Sequence, residues 1–130
     1  MIRRAQCACG GLSVETEGEP QVVSACHCLE CQRRTGSAFG LAAFYRREAV
    51  HPSGASSVYV RKADSGNSVA FHFCPACGTT LYWEREGAQD MVGVAVGGFA
   101  DPHFPAPARS VYEHRKHYWL ELPAALERPW

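Results

Sequence analysis

Cys7-Ala8-Cys9, Cys26-His27-Cys28-Leu29-Glu30-Cys31 and Cys74-Pro75-Ala76-Cys77 contain all seven cysteines of the chain. Seven is odd, so a disulfide scheme leaves one thiol over. Thiols one or two residues apart converge on a point, which suits a tetrahedral thiolate site better than bridges between distant strands. Soft sulfur ligands exclude magnesium and calcium, and nothing in the chain suggests electron transfer, so zinc is the expected ion. An iron–sulfur centre or another soft metal is the alternative, and cysteines with a purely structural role are a third reading.

Ligand arithmetic separates two kinds of site. If Cys7 and Cys9 join Cys74 and Cys77, they complete a closed four-thiolate site, the structural type. In both pairs a glycine follows the second cysteine, Gly10 and Gly78, where a left-handed backbone can turn N–H groups toward sulfur. Cys26, Cys28 and Cys31 then stand alone, with a fourth position for water or a substrate atom, which is the catalytic pattern. The other completion is a structural one, in which His27, His51, His72 or His103 closes the site.

The elements that must position these groups are mostly β. Short apolar alternations punctuated by glycine and proline predict strands over 11–16, 21–25, 38–45, 57–61, 69–73, 80–84, 91–96 and 110–113. Turn residues separate them at 17–20, 51–54, 64–67 and 86–88. One short helix is expected over 29–34, ended by Thr35-Gly36, with its N-terminus at the triplet. Residues 102–107 hold three prolines and read as an extended loop, and Pro123-Ala124-Ala125-Leu126 reads as a last helical turn. Alternation in 69–73 puts Val69, Phe71 and Phe73 on one face and His72 on the other, away from the core. Tyr82, Trp83, Tyr112 and Trp119 read as packing residues, with a pocket wall as the alternative.

At 130 residues the chain has the length of one domain, taken as 1–130. No stretch approaches the roughly 18 apolar residues of a membrane span, and the first cysteine cluster arrives before an apolar signal region could form. A cytoplasmic location is the default, in keeping with free thiols kept available to metal. Lys and Arg together number 13, as do Asp and Glu, so net charge gives no reason to expect nucleic acid or an anionic membrane. The doublets Arg33-Arg34, Arg46-Arg47 and Arg115-Lys116 read as solvated surface. Arg33-Arg34 differs by following the triplet directly, where it could hold a carboxylate beside an ion.

In combination, Cys7-Ala8-Cys9-Gly10, the run from Cys26 through Ser37, Phe73-Cys74-Pro75-Ala76-Cys77-Gly78-Thr79, and the tail Ser110-Val111-Tyr112-Glu113 with Trp119 resemble the glutathione-dependent formaldehyde-activating enzyme family, whose domain is shared with a centromere protein. The resemblance spans nearly the whole chain. It implies a small twisted, β-tent-like structure holding two zinc ions, one structural on Cys7, Cys9, Cys74 and Cys77 and one catalytic on Cys26, Cys28 and Cys31. It further implies formation of S-hydroxymethylglutathione from formaldehyde and glutathione, classed as a carbon–sulfur lyase activity in the reverse sense. Arg33, Arg34 and Ser37 are then the candidates for an oxyanion donor or for binding substrate carboxylates. A small-thiol binding module without turnover and a zinc-stabilised interaction module are the competing readings.

Overall fold

Strands and short turns alternate along the chain in a computed structural model that describes residues 1–63 and 65–129. In chain order the elements are β1 (Ile2–Gln6), β2 (Ser13–Glu17), β3 (Val22–Cys26), α1 (Leu29–Thr35), β4 (Gly40–Arg46), β5 (Val50–Ser53), β6 (Ser57–Lys62), β7 (Ser68–Phe73), β8 (Thr80–Arg85), β9 (Ala88–Ala95) and β10 (Arg109–Val111). Strand accounts for 44% of the chain against 13% helix, which makes the class mostly β, as expected.

Three strands form one sheet in the order β1-β2-β5, and seven form the other in the order β10-β3-β4-β9-β8-β7-β6. All neighbours are antiparallel except β10, which lies parallel to β3 with Val111 opposite Cys26. That pairing brings the late Ser110-Val111-Tyr112 run beside the triplet.

The period of two in a strand gives the large sheet two different faces. On β4, Ala43 and Tyr45 bury against the small sheet, in a core with Val14, Leu81, Val92 and Val94. Ala42 and Phe44 point the other way, to a second apolar cluster with Val69, Phe71 and Trp83. Each large aliphatic or aromatic side chain buried in this way stabilises the fold by about 1.5–3 kcal/mol. Val69 and Phe71 on one face of β7, with His72 on the other, follow the expected alternation. His72, expected to point away from the core, instead has a side chain only 17% exposed, stacked at 4.3 Å on Tyr82 of the main core and 3.1 Å from Glu84, because the face of β7 opposite Val69 and Phe71 is covered as well.

Some expectations are corrected. β1 carries no apolar alternation and was not expected. Only Ala5 in it is buried, because β1 is an edge strand whose other side chains meet solvent. Residues 51–54 read as a turn, yet Val50–Ser53 is a strand with Pro52 opposite Val14. Its place at the sheet edge is what makes a proline acceptable there. Residues 123–126 form a single turn and not a helical one. The 102–107 loop starts with a tight turn, Phe104 N–H donating to the Asp101 carbonyl, and seats Phe104 in the core against Phe99. Trp119 is 59% exposed, so it is no packing residue. Of the expected 64–67 turn, Asp64 lies outside the described residues, and Gly66 N–H closes onto the Ala63 carbonyl.

Candidate metal centres

Cys7 and Cys9 sit in the β1–β2 connection, Cys74 and Cys77 in the β7–β8 connection, and folding brings all four sulfurs within 4.8 Å of one another. Two hydrogen bonds close the second turn, from Cys74 N–H to the Thr79 carbonyl and from Gly78 N–H to the Cys74 carbonyl. Gly10 and Gly78 take φ of 81° and 82°, the left-handed conformation that the sequence pattern called for. The Cys7–Cys9 and Cys9–Cys74 sulfurs are 3.7 and 3.6 Å apart. A tetrahedron of thiolates with metal–sulfur bonds of about 2.3 Å has edges of about 3.8 Å, so the donor set and its spacing fit one ion. Backbone N–H groups already point at the sulfurs, Leu12 to Cys7 at 3.2 Å and Gly11 to Cys9 at 3.4 Å. The Thr79 hydroxyl and backbone draw the Cys77 thiol down to about 5, and the Leu12 N–H lowers Cys7. Cys7 and Cys74 are buried in the core while Cys9 and Cys77 are exposed, so the cluster pins the core to the surface turns.

Cys26 ends β3, Cys28 caps α1 by accepting from Cys31 N–H at 3.3 Å, and Cys31 lies in the first helical turn. Their three sulfurs also lie within 4.8 Å of one another, and among the described residues no histidine or carboxylate joins them. Three of the histidines that could have closed the site are engaged elsewhere, His27 with Ser110 at 3.0 Å, His51 with Glu17 at 2.9 Å and His72 with Glu84, and His103 lies outside the group of sulfurs. Hydrogen bonds from Cys26 and Cys31 pull the Cys28 thiol well below its ordinary range, and the same contact with Cys28 raises Cys26. Both cysteine clusters could hold a metal ion.

The triplet opens onto a cleft of about 670 Å³ on the second face of the large sheet. Among the described residues six arginines border it, Arg33, Arg34, Arg61, Arg85, Arg109 and Arg115, against two glutamates, Glu30 and Glu86. A chain with no net charge thus concentrates positive charge in one place, which overall composition hides. Arg34 passes over Gly40, where an added Cβ would come within 2.8 Å of its Nη2 and 3.7 Å of the Cys31 sulfur, so the cation and the thiol flank one point. Its guanidinium lies 4.4 Å from the Trp83 ring and 5.7 Å from Phe71, and its Nε is buried without a hydrogen-bond partner. Arg33 is 72% exposed at the rim and paired with Glu30 at 2.7 Å. Ser37 lies elsewhere, beyond the helix in a shallow hollow with His117 and Trp119. Sequence reasoning missed Arg61, Arg85 and Arg109, which lie far apart in the chain and meet only through strand order. Tyr112, which also borders the cleft, has φ of 57°, unusual for a residue other than glycine.

Gly93 supports the cationic wall from behind. A Cβ there would meet the Trp83 indole Nε1 at 2.3 Å and Cε2 at 2.7 Å. Gly93→Ala is expected to push the indole off the sheet and to lower stability by roughly 1–3 kcal/mol. Urea unfolding checks this, and an unchanged midpoint would mean that the Trp83–Arg34 stack adapts freely.

Fold and site together define a mostly β protein with two cysteine clusters, one joining distant turns and one opening on a cleft. A family profile described as glutathione-dependent formaldehyde-activating enzyme matches residues 2–115, and the chain belongs to that family. Comparison with curated proteins finds no match. Among solved structures, the crystal structure of a Rhodobacter sphaeroides protein is similar, with a TM-score of 0.59 and 23% identity over 76% of this chain and 91% of that chain. At that identity the likeness concerns the fold. No helix among the described residues is long and apolar enough to cross a membrane.

Proposed function

We propose that the protein is a zinc-dependent carbon–sulfur lyase that makes or breaks the bond between glutathione sulfur and an aldehyde-derived carbon. The observation that carries this reading is the opening of three convergent sulfurs, with no fourth protein ligand among the described residues, onto an arginine-lined cleft. In this reading Cys7, Cys9, Cys74 and Cys77 hold a structural zinc, and Cys26, Cys28 and Cys31 hold a second. When bound, the second ion would supply Lewis acidity and favour the thiolate form of an added thiol.

The chain's own residues do the rest. Arg61 and Arg34 place positive charge near Cys28 and Cys31, and that charge equally attracts an anionic thiol into the cleft. Arginines at the rim, Arg33 among them, suit bidentate contacts with the carboxylates of glutathione. As sulfur adds to the aldehyde carbon, the C–S bond forms and the carbonyl π electrons move to oxygen, which is steadied by a hydrogen bond and takes from solvent the proton that the thiol gave up. Arg34, held on Trp83 with an unpaired Nε, is the donor we assign to that oxygen. Ser37 is given no role at the reacting atoms, since it lines a different hollow.

Calorimetric titration of zinc-loaded protein with glutathione tests the reading, with Cys28→Ser as control. Binding that disappears in the variant, followed by turnover of the formaldehyde adduct, is the expected result. Binding without turnover would make the protein a small-thiol binding module. No binding to either form would remove glutathione from the account and favour an interaction module.

A further inference from the structure

His27 lies between two of the three triplet cysteines and is completely buried, yet it takes no part in the cleft. Its ring Nδ1 is buried without a hydrogen-bond partner, while its Nε2 and backbone N–H reach a late part of the chain. The backbone N–H donates to the Val111 carbonyl at 3.1 Å, and Nε2 meets the Ser110 hydroxyl at 3.0 Å. The His27 carbonyl accepts from Gln32 Nε2 at 2.9 Å, and the same Nε2 donates to the Arg115 carbonyl at 3.0 Å. Gln32 Oε1 in turn meets His117 at 3.1 Å.

Ser110 is anchored in turn through its backbone N–H, which donates to the Glu127 carbonyl at 2.9 Å, next to Arg128. Arg128 Nε then donates to both Glu113 oxygens at 3.0 Å, and its remaining nitrogens hold the carbonyls of Pro123, Ala124 and Leu126. A line of hydrogen bonds, joined through the peptide between Glu127 and Arg128, runs from the loop between two ligand cysteines to residue 128. Its last part, and His117, lie beyond the 2–115 span that the family profile matches.

We infer that the segment 108–128 is a brace that sets the geometry of the Cys26-His27-Cys28 loop, with Ser110, Glu113 and Arg128 as positioning residues for the triplet ion. This rests on the reading that the triplet binds an ion. Fixing the backbone between two ligands restricts the directions their sulfurs can take, as outer-shell hydrogen bonds do at metal sites. The four-thiol cluster shares no member of this line and stands independent of it.

Cobalt(II) affinity, measured by chelator competition on the full chain, tests the brace. The triplet equivalent is identified as the one lost in Cys28→Ser. Glu113→Gln, Arg128→Ala and Ser110→Ala are each expected to weaken that equivalent by about 10-fold to 100-fold and leave the other equivalent unchanged. Combined Glu113→Gln and Arg128→Ala should cost less than the two losses added, because both break one line. Unchanged triplet affinity in all three variants would overturn the brace, as would equal weakening of both equivalents, which would indicate a general scaffold role. A wild-type protein that takes only one equivalent, unaffected by Cys28→Ser, would overturn the metal reading of the triplet itself, and the brace with it.

Discussion

Cys77→Ser is expected to leave the chain unfolded or barely folded at room temperature, while Cys28→Ser is expected to leave a folded protein carrying one ion fewer. The contrast follows from what each cluster joins. Cys77 belongs to the group that ties the β1–β2 turn to the β7–β8 turn, and two members of that group, Cys7 and Cys74, lie inside the main core. Closing such a site contributes folding free energy directly, on the order of 10 kcal/mol in small zinc domains, which is comparable to the whole stability of an ordinary domain. Cys28 belongs to a group whose three members lie within six residues at the edge of a cleft, so an ion there joins nothing distant. Circular dichroism melting together with metal analysis on both variants checks the prediction. Equal unfolding by the two would mean that the division into a structural and an open site is wrong.

Gly54→Ala is expected to destabilise the fold by roughly 3 kcal/mol, from overpacking together with a strained backbone. Gly54 has φ of 98°, and a Cβ there would stand 2.0 Å from the Gly11 carbonyl oxygen and 3.3 Å from Leu12 Cα. The obstacle is backbone, so no rotamer change relieves it. The peptide that must move carries the Leu12 N–H that points at the Cys7 sulfur, and it follows directly on the one whose Gly11 N–H points at Cys9. The variant should therefore also bind metal more weakly at the four-thiol site. A thermal midpoint lower by about 10 °C is the expected size. An unchanged midpoint would show that the β1–β2 turn is loose and that the N–H to sulfur contacts matter little.

Gly54 also illustrates how far the sequence could be read. Its neighbours His51, Pro52 and Ser53 look like a turn, and only their pairing with β2 makes them a strand. Local pattern was enough for the other strands of alternating apolar residues, for α1 and its end at Gly36, and for the cysteine grouping, because each of these depends on neighbours in sequence. What could not be read was assembly across the chain. Arg61, Arg85 and Arg109 come from three strands and meet over one face only because β6, β8 and β10 share a sheet. Ser37, close in sequence to the triplet, was carried by α1 to the far side of the helix, and adjacency misled there. β1 gave no signal since a charged edge strand needs little apolar pattern. His27 read as one of four histidines that could close the triplet site, whereas the parallel pairing of β10 with β3 brought Ser110 to it.

The two cysteine groups differ also in when a growing chain can offer them. The contact between Cys9 and Cys74 spans 65 positions, so the four-thiol site comes into being only after most of the sheet has been made and paired. The triplet is complete as a set of ligands within six residues, early in synthesis. A nascent chain therefore presents three clustered thiols to metal, or to oxidant, long before the β7–β8 turn exists, and before β10 arrives to settle against β3. Cys7 and Cys9 are made earlier still but wait for Cys74 and Cys77, whereas the triplet is whole as a ligand set long before its surroundings are.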